Sequence, residues 1–248
     1  MAERETRNLE VNRGEGYKIR PIYLCIDVSG SLGLDSNQSR PWPIDYVNEA
    51  LDALLVTIRK EREVSEVIKL ALMSFAESAK LELPLSDPNT ITAMPKLQAG
   101  GETSYLQPLR KLRELIEEDF RNRRPNAWNR PVVLFITDGF PYRRGESDTD
   151  WQAARDALLD PEWFPHPILV VFGFGNANEE VIKTLASGQK YTGLALMAAR
   201  DQTPANQIQR IMKDIGDSIV LSARNPSQLV MYTKDYTVLK SPGSDDLG

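Results

Sequence analysis

The stretch that decides the fold is Tyr23-Leu24-Cys25-Ile26-Asp27-Val28-Ser29-Gly30-Ser31. A mostly apolar run ends abruptly in Asp-x-Ser-x-Ser, which predicts a buried strand with one carboxylate and two hydroxyls at its carboxyl end. Such hard oxygen groups on a tight turn suit Mg²⁺ or Ca²⁺. Asp and Ser also fill ordinary turns by bonding to their own backbone, so the pattern needs support from elsewhere in the chain.

Two later segments supply that support. One is Gly100-Gly101-Glu102-Thr103-Ser104, a glycine-rich turn that opens a helical pattern. The other is Pro131-Val132-Val133-Leu134-Phe135-Ile136-Thr137-Asp138-Gly139, a second apolar strand that ends in a carboxylate. In an open parallel sheet, ligands bind at the carboxyl ends of the strands near a switch in strand order. We therefore expect these oxygen groups to meet at one sheet edge.

The combined set resembles the metal-ion-dependent adhesion site of von Willebrand factor A domains. All five pattern positions are filled in the family's order: Asp27, Ser29, Ser31, Thr103 and Asp138. The resemblance implies that these residues hold Mg²⁺, with Mn²⁺ or Ca²⁺ as further possibilities, and that Asp138 acts through a water in open states. It also implies that a protein partner presents an Asp or Glu carboxylate to a vacant coordination position. On this basis we expect a binding module and not an enzyme.

Single members of the set also fit simpler structural roles. Ser29, Ser31 and Thr103 could merely cap helices. Glu102 departs from the Gly-Gly-Thr run of many family members, and we expect its side chain to point to solvent. We expect the partner to contact the rim formed by Leu32–Trp42, Glu102–Tyr105 and Phe140–Arg144, which is rich in Arg and aromatic residues.

The pattern of apolar residues predicts an α/β fold with a doubly wound, mostly parallel sheet covered by helices on both faces. We expect strands at 19–28, 67–75, 132–136, 167–172 and 192–197, and one antiparallel edge strand at 79–83 that ends before Pro84. Helices are expected at 44–58, 105–120, 150–159, 178–186 and 208–219.

We predict three regions along the chain. Residues 1–16 read as an N-terminal arm, residues 17–222 as the von Willebrand factor A domain, and residues 223–248 as a C-terminal extension. Within the extension, 229–232 and 236–239 are apolar enough to pack on this chain or on a partner. The polar end, 241–246, is expected to be disordered.

Composition narrows the functional class. The chain has 248 residues, of which 41% are hydrophobic, and a net charge of −5, which argues against nucleic acid as the main partner. Cys25 is the only cysteine and sits in an apolar strand, where we expect a core residue. No signal-peptide pattern and no run of about 18 apolar residues is present, so we expect a cytoplasmic protein that does not span a membrane.

Within the family, the chain looks most similar to the bacterial tellurite-resistance branch of the TerY type. The similar stretches are Ile26–Ser31, Pro43–Leu51, Ser74–Ala76, Leu83–Leu85 and Ile215–Ile219. This branch resemblance implies a cytosolic stress-response or defence system with phosphatase and kinase companions. The longer loop at 33–42 is a departure that affects the shape of the rim and therefore the partner.

Two functions of other classes remain open. A strand-end Asp followed by a Ser/Thr loop and a later Asp is also similar to haloacid-dehalogenase-like phosphatases, in which Asp27 would be the nucleophile of a Mg²⁺-dependent phosphohydrolase. That chemistry needs an acid two residues later, where this chain has Ser29. The second is a nucleotide site at Gly173–Asn178, between a strand and a helix, although the third glycine of the usual pattern is replaced by Asn178.

Overall fold

The computed structural model describes residues 6–10, 18–33, 41–121, 128–188, 193–224 and 228–240. Its strands are β1 (Thr6–Glu10), β2 (Arg20–Asp27), β3 (Ile68–Phe75), β4 (Ala79–Ser86), β5 (Val132–Thr137), β6 (Ile168–Gly173), β7 (Leu194–Ala198), β8 (Gln228–Tyr232) and β9 (Tyr236–Lys240). Its α-helices are α1 (Pro43–Lys60), α2 (Arg62–Val67), α3 (Leu106–Phe120), α4 (Asp148–Leu158), α5 (Glu179–Ala186) and α6 (Pro204–Arg224).

Seven strands form one mixed sheet in the order β4-β3-β2-β5-β6-β7-β9. The five central strands are parallel, and the two edge strands, β4 and β9, run antiparallel to their neighbours. The central strands are mostly apolar because helices cover both of their faces. From β2 the chain first adds β3 and β4 on one side, then returns to place β5 on the other side. The strand order therefore switches between β2 and β5, at the centre of the sheet.

Two hydrophobic clusters lie on opposite faces of this sheet. One joins alternate strand residues such as Leu24 and Val170 to the apolar stripes of α1 and α6. The other joins the alternate set, including Cys25 and Val133, to α3, α4 and α5. Both central strands of the site, β2 and β5, are thus clamped from both sides, which fixes the position of their carboxyl ends.

The predicted fold class is confirmed: the sheet is doubly wound and mostly parallel, with an antiparallel edge strand at β4. Several details differ. A second antiparallel strand, β9, closes the other edge, and β4 continues through Pro84 to Ser86, because a proline is tolerated where no outer neighbour needs its N–H. Residues 62–67 form the short helix α2, so β3 begins one residue later than expected.

The chain termini contribute strands as well. β1 lies in the predicted N-terminal arm and pairs antiparallel with β8 in a separate two-stranded sheet. The predicted domain end at residue 222 falls inside α6, and the predicted extension supplies β8 and β9. The expected disordered end at 241–246 lies outside the described residues. In the described part of the chain, no helix combines the length and apolarity that crossing a membrane requires.

Candidate metal site

Three chain segments bring the predicted ligands to the carboxyl edge of the sheet. Asp27 is the last residue of β2, and the turn after it carries Ser29 and Ser31. Asp138 directly follows β5, which lies parallel to β2 in a register that pairs Ile26 with Ile136. Both strands are buried along their whole length. Their register places Asp138 one residue beyond the level of Asp27.

A chain of hydrogen bonds links four of the five predicted ligands. The backbone N–H of Ser29 donates to Oδ1 of Asp27 over 2.9 Å. The hydroxyls of Ser29 and Ser31 are 3.2 Å apart, and the Ser31 hydroxyl donates to Oδ1 of Asp138 over 3.0 Å. The two carboxylates are therefore connected through the two serines, as an oxygen-ligand cluster requires.

The fifth predicted ligand, Thr103, lies on a loop that is hydrogen-bonded to the turn after β2. Gly30 N–H donates to Gly101 O over 3.0 Å, and Gly100 N–H donates to Val28 O over 2.8 Å. Gly101 has a φ of +86°, a conformation that favours glycine. Thr103 itself is buried and precedes α3.

Gly139 marks the point where the three segments converge. A Cβ placed on Gly139 would lie 3.5 Å from the Thr103 hydroxyl and 3.8 Å from Oδ2 of Asp27. The Thr103 hydroxyl and this Asp27 oxygen therefore flank the same glycine. The structure thus brings all five predicted residues to one place.

Burial perturbs both carboxylates. Asp27 is 0% exposed and Asp138 is 8% exposed. Burial raises the pKa of Asp27, while hydrogen bonds from Thr137 and Ser29 oppose the rise. Burial, and next the nearby charge of Asp27, raise the pKa of Asp138 to about 6. Two buried like charges destabilise each other unless a cation lies between them.

The donor set fits a hard divalent cation. Within the described ranges, neither Asp27 nor Asp138 forms an ion pair with Lys or Arg. The same residues contain no group of three or more His, Cys, Asp or Glu side chains that could hold a metal ion, so a metal at this edge would depend on the hydroxyl groups as well as on the two carboxylates. The site offers two carboxylates and three hydroxyls, all oxygen, and this chemistry matches Mg²⁺, Mn²⁺ or Ca²⁺.

Two residues outside the predicted ligand set support the carboxylate of Asp27, and one of them, Tyr105, was expected on the rim that contacts the partner but is buried. The hydroxyl of Thr137 donates to Oδ2 of Asp27 over 2.6 Å. The Tyr105 hydroxyl lies 3.0 Å from the Thr137 hydroxyl and also 3.0 Å from the Gly139 carbonyl, to which it donates. In the sequence, Thr137 looks like an ordinary strand residue and Tyr105 like a core aromatic residue. The only sequence signal for their roles is proximity: Thr137 directly precedes Asp138, and Tyr105 follows Thr103 by two residues.

The loop after Asp138 is bonded to the Thr103 loop. Thr103 N–H donates to the Tyr142 carbonyl over 3.1 Å, and the Ser104 hydroxyl donates to Oε2 of Glu146 over 2.7 Å. Glu102 is exposed, as expected, and its carboxylate accepts the Arg144 N–H. This bonded pair of loops carries two exposed aromatic side chains next to the site.

The geometry gives little support to a nucleophilic role for Asp27. Both of its oxygens accept hydrogen bonds, from the Ser29 N–H and the Thr137 hydroxyl. The position two residues after it is Ser29, which has no carboxyl group for general acid–base work. Cys25 is buried in the core, as expected.

Residues 22–140 match the family model described as von Willebrand factor type A domain. The match contains all five predicted ligands and the switch point between β2 and β5. This part of the chain, just under half of it, is therefore similar to a von Willebrand factor type A domain. Among curated proteins, none matches the chain.

Three solved structures illustrate the likeness of fold. The PilB minor pilin from Streptococcus sanguinis is 14% identical, with a TM-score of 0.54 over 84% of this chain and 63% of that chain. The pilus adhesin SpaC from Lactobacillus rhamnosus GG is 12% identical, with a TM-score of 0.60 over 91% and 33%. A von Willebrand factor type A protein from Catenulispora acidiphila is 14% identical, with a TM-score of 0.53 over 85% and 49%. The chain spans less than two thirds of each of these structures, and at these identities the likeness concerns the fold alone.

Proposed function

We propose that this chain is a divalent-metal-dependent protein-binding module. The observation that carries the proposal is the pair of buried carboxylates, Asp27 and Asp138, joined through Ser29 and Ser31 and without a basic partner among the described residues. A bound cation would offset the charge that burial makes unfavourable.

Asp27, Ser29, Ser31, Thr103 and Asp138 would hold the ion. Mg²⁺ takes about six oxygens, so these residues leave room for water or for a ligand from outside. When bound, the ion supplies a positive centre that attracts an oxygen ligand. A partner's Asp or Glu is the strongest candidate, because a charged oxygen competes better than a neutral one for a cation.

The surroundings of the site suit a protein partner. Phe140 and Tyr142 are 53% and 71% exposed, on the loop that follows Asp138. Arg143 and Arg144 lie beside them, and aromatic residues and arginine are enriched at the centres of protein interfaces. Two of the similar structures carry the words pilin and adhesin in their names, which agrees with a binding role at the level of fold analogy.

For the biological setting we propose a bacterial stress-response or tellurite-resistance system in the cytoplasm, with a phosphatase or kinase of the same system as the partner. The support is the similarity of the stretches named above to the TerY-type branch. Capture of partners from the source cell, with Mg²⁺ and with EDTA, tests this setting. Recovery of an unrelated extracellular ligand in a metal-dependent manner would contradict it.

The metal assignment has its own test. Isothermal titration calorimetry with Mg²⁺ and Mn²⁺ should detect binding to the wild-type protein and none to Asp27→Ala. Asp52→Ala is a matched control, because Asp52 is a partly exposed carboxylate that pairs with Lys96 on the surface. Equal binding by wild type and Asp27→Ala would remove the metal site from this edge.

The phosphohydrolase alternative is tested separately. Generic phosphomonoesters are incubated with the protein and Mg²⁺, and we expect no steady turnover because no carboxyl group occupies the position of Ser29. Turnover that Asp27→Asn abolishes would replace the binding module by an enzyme.

A further inference from the structure

A polar cavity of about 400 Å³ lies beside the candidate metal site. Gly175, Asn176 and Ala177 of the loop after β6 line one side of it. The other side comes from the segment between β7 and the first turns of α6, with Arg200, Gln202 and Gln207. Both segments follow the carboxyl ends of parallel strands, so the cavity opens on the same sheet edge as Asp138.

Gly175 joins the cavity to the metal site. A Cβ on Gly175 would lie 3.5 Å from the Cβ of Asp138, and its φ of +56° favours glycine. A ligand that occupies both places would therefore pass over this residue, where no side chain stands in the way.

Gln207 holds both walls of the cavity in place. Its Oε1 accepts the Gly175 N–H over 2.8 Å, and its Nε2 donates to the Ala199 carbonyl over 2.6 Å. The Gln207 side chain is itself buried. Because one buried amide bonds the two loops, the cavity is preformed and does not depend on a ligand for its shape.

The chemistry of the lining favours an anion. Among the described lining residues, Arg200 alone has an ionisable side chain, and the others offer amides or backbone. Arg200 is 65% exposed and pairs with Glu179 over 3.1 Å. An exposed ion pair of this kind contributes little energy. An incoming carboxylate can therefore displace Glu179, or it can bind the N–H donors of the guanidinium that Glu179 does not use.

We propose that this cavity receives a second acidic side chain of the same partner whose first carboxylate binds the metal ion. The inference rests on the proposed function and specifies the ligand of the module. That ligand is a protein segment with two carboxylates, one of which binds the ion held by Asp27 and Asp138 while the other binds Arg200. Two linked contacts give the partner a higher affinity than either contact alone, because the second contact forms within a complex that the first has already made.

Dicarboxylates of increasing length provide a direct test. Propionate is the probe with one carboxylate, and succinate, adipate and suberate are the probes with two. Binding to the Mg²⁺-loaded protein is followed by NMR chemical-shift titration. One of the longer dicarboxylates should bind about tenfold more tightly than propionate, as expected for an added charged hydrogen bond.

Three variants test whether the higher affinity of the dicarboxylate depends on the cavity. Arg200→Gln should reduce the affinity of the best dicarboxylate to that of propionate, without changing the affinity for propionate or Mg²⁺. Glu179→Gln should raise the dicarboxylate affinity, since Arg200 loses its competing partner. Arg224→Gln is the matched control: Arg224 is a similarly exposed, ion-paired arginine at the far end of α6, and its loss should change nothing.

The metal-dependent module and the second carboxylate site are contradicted by different results. If Mg²⁺ and propionate bind but no dicarboxylate gains affinity, or if Arg200→Gln keeps the gain, the second carboxylate site is wrong and the metal-dependent module stands. If neither Mg²⁺ nor propionate binds, the proposed function itself fails. Binding of AMP or ATP at the cavity without Mg²⁺, sensitive to Arg200→Gln, would replace the second carboxylate by a nucleotide.

Discussion

Thr137 and Asp27 are joined by a hydrogen bond of 2.6 Å between the hydroxyl of one and Oδ2 of the other, across the neighbouring strands β5 and β2. The residue before Asp138 therefore orients the other carboxylate of the site. The Tyr105 hydroxyl adds a contact of 3.0 Å to the same Thr137 oxygen. The candidate metal site thus has a buried support that is formed by residues outside the proposed ligand set.

Replacement of Thr137 by Val should lower both the stability of the protein and its affinity for Mg²⁺. The variant keeps the shape of the side chain but leaves a buried Asp27 oxygen without its donor, which costs about 1–3 kcal/mol of unfolding free energy. Mg²⁺ affinity should fall at least about tenfold, as for other partners of metal ligands. Denaturation and calorimetry measure the two effects.

A control for this variant lies on α1. The Thr57 hydroxyl donates to the Ala53 carbonyl of its own helix. Thr57→Val should change stability by no more than about 0.5 kcal/mol and leave Mg²⁺ affinity unchanged. Unaltered Mg²⁺ affinity in Thr137→Val would mean that Asp27 keeps its orientation without the hydrogen bond.

The pH dependence of stability should report the buried Asp138. Its pKa is about 6 in the folded protein against 3.8 ordinarily, so the folded state binds the proton more tightly than the unfolded state. The stabilising effect is complete below about pH 4 and is lost as the pH rises through 6. In EDTA, this group alone should lower the unfolding free energy by about 2 kcal/mol between pH 4 and pH 7.

The comparison with Asp138→Asn isolates that effect. His166 has a pKa lowered to about 4, mainly by burial, and therefore destabilises the fold as the pH falls through the same range. Both proteins contain His166, so its titration cancels, and the difference between their stabilities follows Asp138 together with the change in Asp27 that the loss of the neighbouring charge causes. A difference that is constant from pH 4 to pH 7 would mean that Asp138 titrates normally.

The protein should fold without metal and gain stability from it by mass action. Its two hydrophobic clusters, on either face of the sheet, include none of the five proposed metal ligands. Mg²⁺ at a hundredfold excess over its dissociation constant should add about 2.7 kcal/mol to the unfolding free energy. Thermal denaturation in EDTA and in Mg²⁺ measures this, and loss of the cooperative transition in EDTA would contradict it.

Glu146 should hold the two loops of the site together. Its carboxylate accepts hydrogen bonds from Ser104, Gln107 and Arg143. In Glu146→Ala these donors lose their acceptor, so hydrogen exchange at the Thr103 amide should accelerate and partner binding should weaken. Glu66→Ala, which removes an exposed carboxylate on α2, is the control and should change neither. Unchanged exchange in Glu146→Ala would show that the backbone bonds suffice.

The central strands and the meeting of the candidate ligand residues at one edge were predictable because each depends on a local pattern. A continuous apolar run that ends in Asp is visible in the sequence for both β2 and β5, and parallel strands place their ends at one edge. The partners of Asp27 were not predictable in this way. Thr137 reads as one more strand residue, and its hydroxyl gains a role only when β2 lies beside β5.

The strand at the C-terminal end of the described chain was also not predictable from a local pattern. The segment Tyr236–Lys240 is a short apolar run, and nothing local indicates that it pairs with β7. Likewise Gln207 lies just before the predicted helix at 208–219 and reads as an ordinary polar residue, although its amide bonds two loops. Such long-range pairings depend on tertiary neighbours, which periodicity does not report.

The position of β9 has a practical consequence for shortened forms of the protein. A chain that stopped at residue 222 would keep every proposed metal ligand but would leave β7 with an unpaired row of N–H and C=O groups. An open apolar strand edge is a template for pairing with another molecule. Arg20 would also lose the Gln228 carbonyl that accepts one of its hydrogen bonds. Such a fragment would therefore self-associate, and a bridging aggregate could then be mistaken for capture of a partner.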